Sequence, residues 1–580
     1  MLEQKYRWKN KEIREQVSII NGKIAPTIIL KNARFLHTML RKWITAHIWI
    51  HQDRIIYVGE ELPEKTKNSE IIDCSGFTLV PGYIEPHVHP FQLYNPQSFA
   101  RYAAQTGTTT LINDNLVLFL KLQKKKAFSI INELNQSPVT MYWWSRYDSQ
   151  TELKGEEVIF TNEDIKSWLE NDQVVQGGEL TGWPKLQDGD DLMLHWIQET
   201  KRLGKKVEGH LPGASERTLA RMKLFGVDSD HEAMTGEEVY NRLMHGYTVS
   251  LRHSSIRPDL PKLLQEMQEL NIDQYDSLMY TTDGSTPGFY QDGVMDKLIR
   301  IAIDNGVPVI DAYRMATHNI ASHYNLLHHH GMIATGRIAN INILSNELDP
   351  TPISVLSKGQ WVKKDGIELE IHDEVNWSEF GLQPLQLDWD IEQSDMQFSM
   401  PFGIEMVNAV ITKPYSIKID LGLETLPAES EENFFMLLDV KGKWRINTLL
   451  KGFANGVSGF ASSFSNTGDI ILIGKSKPDM MAAFKRMKEI GGGIVLVENG
   501  KVIHEIPLPL AGIMSDRKME DLMVEEQRLK DLLVERGYSF GDPIYSLLFF
   551  TATHLPYIRI TQQGMYDVMN KTVLFPTLMR

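Results

Sequence analysis

The chain has 580 residues, material for three or four domains at the usual ~100–200 residues each. Its 42% apolar and 23% charged residues exclude wholesale disorder, and 60 Lys+Arg against 75 Asp+Glu leave a net charge of −15 that disfavours nucleic acid as a partner. One cysteine, Cys74, excludes a disulfide framework and four-thiolate zinc sites; with a polar N-terminal run (MLEQKYRWKNKEIREQ) and no apolar stretch near the ~20 residues of a membrane span, a cytoplasmic protein without a membrane partner is expected.

The first 80 residues read as β-structure: TIILKNARFL, WITAHIWIHQDRIIYVG and EIIDCSGFTLVPG are β-branched runs separated by Gly, Asp and Asn turns. From about residue 80, short segments (TTTLIND, TMYWWSR, QVVQGGE, KKVEGH, VDSDHE, YTVSLRH, DSLMYTTD) alternate with helical stretches such as KLLQEMQEL and MDKLIRIAIDNG. That alternation is the pattern of a parallel α/β fold. Polar residues close the segments: His89, Asp114, Glu179, His210, His231, Arg252 and Asp283. From Glu179 onward the steps are 31, 21, 21 and 31 residues, each the length of one strand–helix unit. With strands near 85, 112, 142 and 177 this predicts eight strands, a (β/α)8 TIM-like barrel with its active site at their C-terminal ends. GMIATGRIANINIL has the character of the N-terminal strands, so 1–80 plus 331–375 are expected to form a composite β-sandwich beside a barrel of 81–330. A third, α/β region spans 376–580, with strands in FGIEMVNAVIT, GDIILIG and GGGIVLVENGKVIHEIPL. Of its two helices, one is opened by Pro478 at N1 and the other runs from about Lys518 to Arg536, stopped by Gly537.

His87 and His89 are i and i+2 on a strand, so both imidazoles face one way and can enter the barrel mouth together. Glu179, His210, His231 and Asp283 complete a set of imidazoles and carboxylates with no thiolate. Such ligation suits divalent zinc, manganese, iron or cobalt and does not choose among them. Four histidines and two carboxylates exceed the needs of one tetrahedral ion, so two ions bridged by one carboxylate are expected.

PGYIEPHVHP, the Glu179 segment, GHLPG, DHE and TTDG resemble the pattern of the amidohydrolase superfamily, specifically its adenine deaminase family. The likeness runs over most of the chain, including the flanking IIDCSGFTLVPG and GMIATGRIANINIL and the C-terminal GGGIVLVENGKVIHEIPLPLAGIMSD. It implies a metal-dependent barrel, a composite β-sandwich and a C-terminal α/β domain. It also implies a role in purine salvage, hydrolysing a purine-like small molecule, adenine, to hypoxanthine and ammonia with a pair of manganese or iron ions, zinc being the alternative. On the matching motif, His87, His89 and Asp283 would hold one metal, His210 and His231 the other, and Glu179 would bridge. Water made nucleophilic between the ions would attack the carbon bearing the amine, and Asp283 would carry its proton to the departing ammonia. Glu232 would either orient His231 or give a proton to the ring. The other zinc deaminase design needs P-C-x-x-C, which a lone Cys74 cannot supply. Large barrels of this kind often form symmetric dimers, so a homodimer is the assembly considered.

The sequence also departs from the family. Glu85-Pro86 stands where Asp-Gly is usual before His87-Val88-His89, followed by Pro90-Phe91-Gln92-Leu93. Asp114-Asn115-Leu116-Val117 replaces Asp-Pro-His-Glu, Ser145-Arg146-Tyr147-Asp148 replaces a small neutral segment, and Ser465–Asp469 replaces His-Asp-Ser-His-Asn. Two alternatives follow: an amidohydrolase of another cyclic amide or amidine, with Arg146 pairing a substrate carboxylate, and a catalytically silent binding protein on the same barrel. Lys124–Lys126 reads as a solvated helix face and His328–His330 as surface before Gly331. Trp143 and Trp144 must face opposite ways, so at most one looks into the barrel, and core packing is expected of both.

Overall fold

A computed structural model describes residues 9–371 and 373–580; the first half of the polar N-terminal run lies outside them. Eight parallel strands follow one another around a nearly closed barrel: Tyr83–Val88, Thr108–Asp114, Thr140–Ser145, Val174–Leu180, Lys206–Gly209, Ser229–Asp230, Thr248–Arg252 and Leu278–Thr281. Each falls at an expected strand position, the fourth running one residue past QVVQGGE to Leu180. They are buried along nearly their whole length, as strands covered on both faces must be. The first and last strands are joined through a side chain. The Glu85 carboxylate accepts from Thr281 Oγ1 (2.9 Å), Thr282 N (3.0 Å) and Thr282 Oγ1 (2.9 Å). Burial raises Glu85 to about 7, against the pull of these donors.

The strands flanking the barrel meet in one mixed nine-stranded sheet. Thr78–Pro81 pairs antiparallel with Ile341–Leu344 and parallel with Ile28–His37, so the chain leaves and re-enters this sheet on adjacent strands. The first 80 residues are not all β-structure: Asn10–Ile20 is a helix whose Ile19 packs with Ile29, Trp49 and Ile56. Its β-branched residues weaken helix propensity, and tertiary packing overrides that preference.

The C-terminal region holds a second mixed nine-stranded sheet and a three-stranded antiparallel sheet of Ile558–Thr561, Gly564–Asp567 and Thr572–Pro576. One helix, Lys477–Glu489, starts a residue earlier than expected: Ser476 caps it by accepting from Asp479 N, which leaves Pro478 at the second helical position. The other, Met519–Glu535, buries Met519, Leu522, Leu529, Leu532 and Leu533 and ends before Gly537 at φ +93. This region closes over the C-terminal ends of the barrel strands. Ser515 N donates to Leu93 O, Thr286 Oγ1 to Asp542 (3.0 Å) and Thr553 N to Gln150 O (3.0 Å). The substituted Ser465–Asp469 segment lies at the same seam, with Asn466 Nδ2 3.4 Å from Ser149 O.

Two further expectations resolve differently. Lys125 and Lys126 are exposed on helix Lys124–Leu134, as a solvated face should be. His329 and His330, however, are buried, with His330 Nε2 3.1 Å from Tyr142 Oη. Burial pushes His329 down to about 3, so these imidazoles are neutral packing groups and not surface residues. Among the described residues no helix is long and apolar enough to cross a membrane.

Candidate metal centre at the barrel mouth

His87 and His89 end the first strand with their Nε2 atoms 3.1 Å apart. Two imidazole nitrogens aimed at one point at that spacing are arranged as ligands of a common ion. Each ring is fixed by its other nitrogen: His87 Nδ1 lies 2.9 Å from Glu208 Oε2 and His89 Nδ1 lies 2.8 Å from Asp114 Oδ2. Trp144 is the inward member of the tryptophan pair. It stacks on His87 with ring centroids 4.5 Å apart and meets His89 edge-on, so it packs beneath the histidines.

Glu179, at the end of the fourth strand, lies between two histidine pairs. Its Oε2 is 3.9 Å from His87 Nε2 and 3.8 Å from His89 Nε2; its Oε1 is 2.7 Å from His210 Nδ1 and 3.5 Å from His231 Nε2. His210 Nδ1 and His231 Nε2 are buried without a hydrogen-bond partner despite that closeness. Orphaned imidazole nitrogens beside a carboxylate, in an all-N/O donor set, fit a divalent metal site. Asp283 lies two residues past the last strand at φ +50, held by a bond from its own N–H to Thr281 Oγ1 (2.9 Å). Its Oδ1 is 3.0 Å from His89 Nε2 and its Oδ2 is 2.7 Å from Arg252. Strain at a left-handed non-glycine residue is tolerated where the surroundings over-determine it. Next to it, Gly284 has no room for a side chain: a Cβ would stand 2.8 Å from His89 and 3.0 Å from the Tyr545 hydroxyl. The structure thus brings together all six residues expected from the sequence, with Glu232 beside them.

The charges are arranged around these carboxylates. Burial alone would raise Glu179, but the Arg146 guanidinium 2.8 Å away and the neighbouring histidines hold it well below the usual carboxylate range. Arg146 is fully buried and also pairs with Asp114, so it is committed to the site's own acids and does not present a cation to a substrate carboxylate. Glu232 contacts Arg252 through Oε1 (2.6 Å) and Arg257 through Oε2; burial opposes ionisation, but His210 and the two arginines hold it at about 2.

Two groups were not anticipated. Glu208 sits one residue before the end of the fifth strand and accepts from Nδ1 of both His87 (2.9 Å) and His231 (3.2 Å), one oxygen each. The alternation V-E-G-H placed it on the inward face, a usable signal. His554, from the C-terminal region, stands edge-on to His210 with ring centroids 5.2 Å apart; nothing in the barrel spacing could have found it.

Residues 78–363 match the amidohydrolase family, and 409–572 match the adenine deaminase C-terminal domain. The chain is 58% identical to "Putative adenine deaminase BH0637" of Halalkalibacterium halodurans and 55% identical to "Putative adenine deaminase YerA" of Bacillus subtilis, in both cases over 100% of each protein. It is 28% identical to "Adenine deaminase" of Kosmotoga olearia, over 96% of this chain and 97% of that one. The chain therefore belongs to the adenine deaminase family of the metal-dependent amidohydrolases, and is a hydrolase of carbon–nitrogen bonds in cyclic amidines.

Proposed function

We propose that this enzyme hydrolyses adenine to hypoxanthine and ammonia, with two divalent ions, manganese or iron, held by His87, His89 and Asp283 on one side and His210 and His231 on the other. The observation that carries this reading is Glu179, which turns one carboxylate oxygen toward each histidine pair. When bound, such ions lower the pKa of water enough for it to act as a nucleophile near neutral pH.

The chain's own residues do the rest. Glu208 and Asp114 fix the tautomers and rotations of His87, His231 and His89, leaving Nε2 of each as the ligating atom. Asp283 keeps Oδ1 on the histidine side while Arg252 holds Oδ2, so one oxygen is positioned to take a proton from the attacking water and give it to the leaving amine. Glu232 has both oxygens in arginine contacts and serves to anchor Arg252 and Arg257. Support for adenine comes from the names of the full-length relatives. The alternative of another cyclic amide loses one of its two motives, because Arg146 is already paired; the altered segments around the site are the other.

The test is to load the purified enzyme with manganese or iron, count metal per chain, and follow ammonia and hypoxanthine from adenine beside a panel of pyrimidines and hydantoins. Stoichiometric hypoxanthine and ammonia support the reading; turnover of a hydantoin or pyrimidine with none of adenine overturns it.

A further inference from the structure

A cavity of about 560 Å³ opens between the loop after the third barrel strand, the loop after the fourth, and the C-terminal segment around residues 553–571. Its wall includes Trp183, Pro212 and Tyr566, apolar and aromatic surfaces suited to a flat ring. Gln150 and His554 line it as well and connect it to the metal-ligand cluster. Gln150 Nε2 is 3.3 Å from Glu179 Oε2, and the His554 ring meets His210 edge-on. The volume falls in the range of small-molecule sites, ~300–1,000 Å³.

His554 Nδ1 lies 3.4 Å from the Gln150 carbonyl oxygen, which can only accept and so favours an N–H at Nδ1, while Thr553 N donates to the same oxygen at 3.0 Å. A neutral imidazole protonated at Nδ1 offers Nε2 as an acceptor. Ser465–Asp469, at the domain seam, carries no histidine; the imidazole that the C-terminal region brings to the barrel mouth is that of His554.

We infer that His554 is a substrate-contacting residue, accepting a hydrogen bond from a ring N–H of a nitrogen heterocycle bound between the cavity and the metal centre. This rests on the reading of the enzyme as an adenine deaminase, and deepens it by assigning recognition of the heterocycle to the C-terminal region. His554 would then bind substrate and product alike, which raises KM on its loss and leaves kcat largely intact.

The experiment compares metal-loaded wild type, His554→Ala and His554→Gln by metal content, by steady-state kinetics on adenine, and by calorimetric titration with hypoxanthine. His554→Ala should keep its metal, while KM and the hypoxanthine Kd rise on the order of ten-fold, the worth of one hydrogen bond. His554→Gln retains an acceptor oxygen and should recover most of that loss. Unchanged KM and hypoxanthine affinity in His554→Ala overturns the assignment, as does loss of metal in both variants, which would make His554 a support of the metal centre. A wild type inactive on adenine that still binds hypoxanthine through His554 would sink the proposed reaction alone; one that neither turns over adenine nor binds hypoxanthine overturns both.

Discussion

Arg252 stands 2.7 Å from Asp283 Oδ2, and the same Nη1 stands 2.6 Å from Glu232 Oε1. One guanidinium therefore fixes both acids that compete for the proton-carrying role, but leaves them unequal. Asp283 keeps an oxygen 3.0 Å from His89 Nε2, while Glu232 gives its second oxygen to Arg257. Asp283→Asn should retain metal at least in part, bind product nearly normally, and lose on the order of 10²–10⁴ in kcat, the usual worth of general acid–base catalysis. Glu232→Gln should lose clearly less. Steady-state rates of the two variants decide between them, and the reverse order would reassign the proton to Glu232.

Glu208 ties His87 to His231 across the barrel, one oxygen to each Nδ1. It touches the ligands and not the reacting atoms. Glu208→Gln can supply only one acceptor oxygen, so one histidine loses its orienting partner. The expected result is metal affinity weakened about 10–100-fold, the typical worth of such outer partners. Chelator competition measures it, and an unchanged affinity would mean that Glu208 does not orient the two rings.

The loop after Asp283 is gripped by the C-terminal region. Gly288 N donates to Glu526 Oε2 (2.6 Å), Lys530 Nζ lies 2.5 Å from Glu526 Oε1, and Thr286 Oγ1 donates to Asp542 (3.0 Å). Glu526 is fully buried, and breaking a buried pair strands its partner, at a cost of about 3–5 kcal/mol. Glu526→Ala should therefore lower the melting temperature and also lower kcat, whereas a surface change such as Glu520→Ala, on the same helix, should do neither. A stable Glu526→Ala with normal turnover would show that the grip is dispensable.

Acid sensitivity should come in part from a buried histidine set against the start of the seventh barrel strand. His323 bonds through Nδ1 to Thr248 Oγ1 (3.1 Å), its Nε2 has no hydrogen-bond partner, and burial pushes it down to about 4. An unfolded histidine titrates near 6.5. Between those values the unfolded chain binds a proton that the folded chain refuses, so stability is complete above about pH 6.5 and is lost as pH falls toward about 4. At its fullest this is on the order of 3 kcal/mol. His323→Gln should flatten the fall of melting temperature with pH over that window relative to wild type; parallel curves would contradict it.

What the sequence disclosed follows from what is local. Strand-end positions repeat at the length of one strand–helix unit, so the barrel and the residues gathered at its mouth, from His87 to Asp283, were legible from spacing. The paired flanking strands were legible too, because the runs holding Thr78–Pro81 and Ile341–Leu344 share a β-segment character, and the two strands pair antiparallel. The Asn10–Ile20 helix was not, since its stability comes from Ile19 docking on Trp49, a contact between distant segments. His330 read as surface because its burial depends on Tyr142, nearly two hundred residues earlier in the chain. Arg146 read as a cation facing substrate because its partners, Asp114 and Glu179, come from neighbouring strands. His554 lay furthest from sight: only the packing of the C-terminal region onto the barrel brings it to His210.

The central claim is that Glu179 joins two metal ions, and the most direct measurement is the metal content of Glu179→Gln beside wild type, each loaded with manganese and freed of excess. A carboxamide keeps the size but offers one oxygen ligand in place of two. The account predicts two ions per chain in wild type, and in the variant loss of at least one ion with loss of nearly all deaminase turnover, while circular dichroism shows the barrel still folded. Two ions per chain and a normal rate in Glu179→Gln would contradict it.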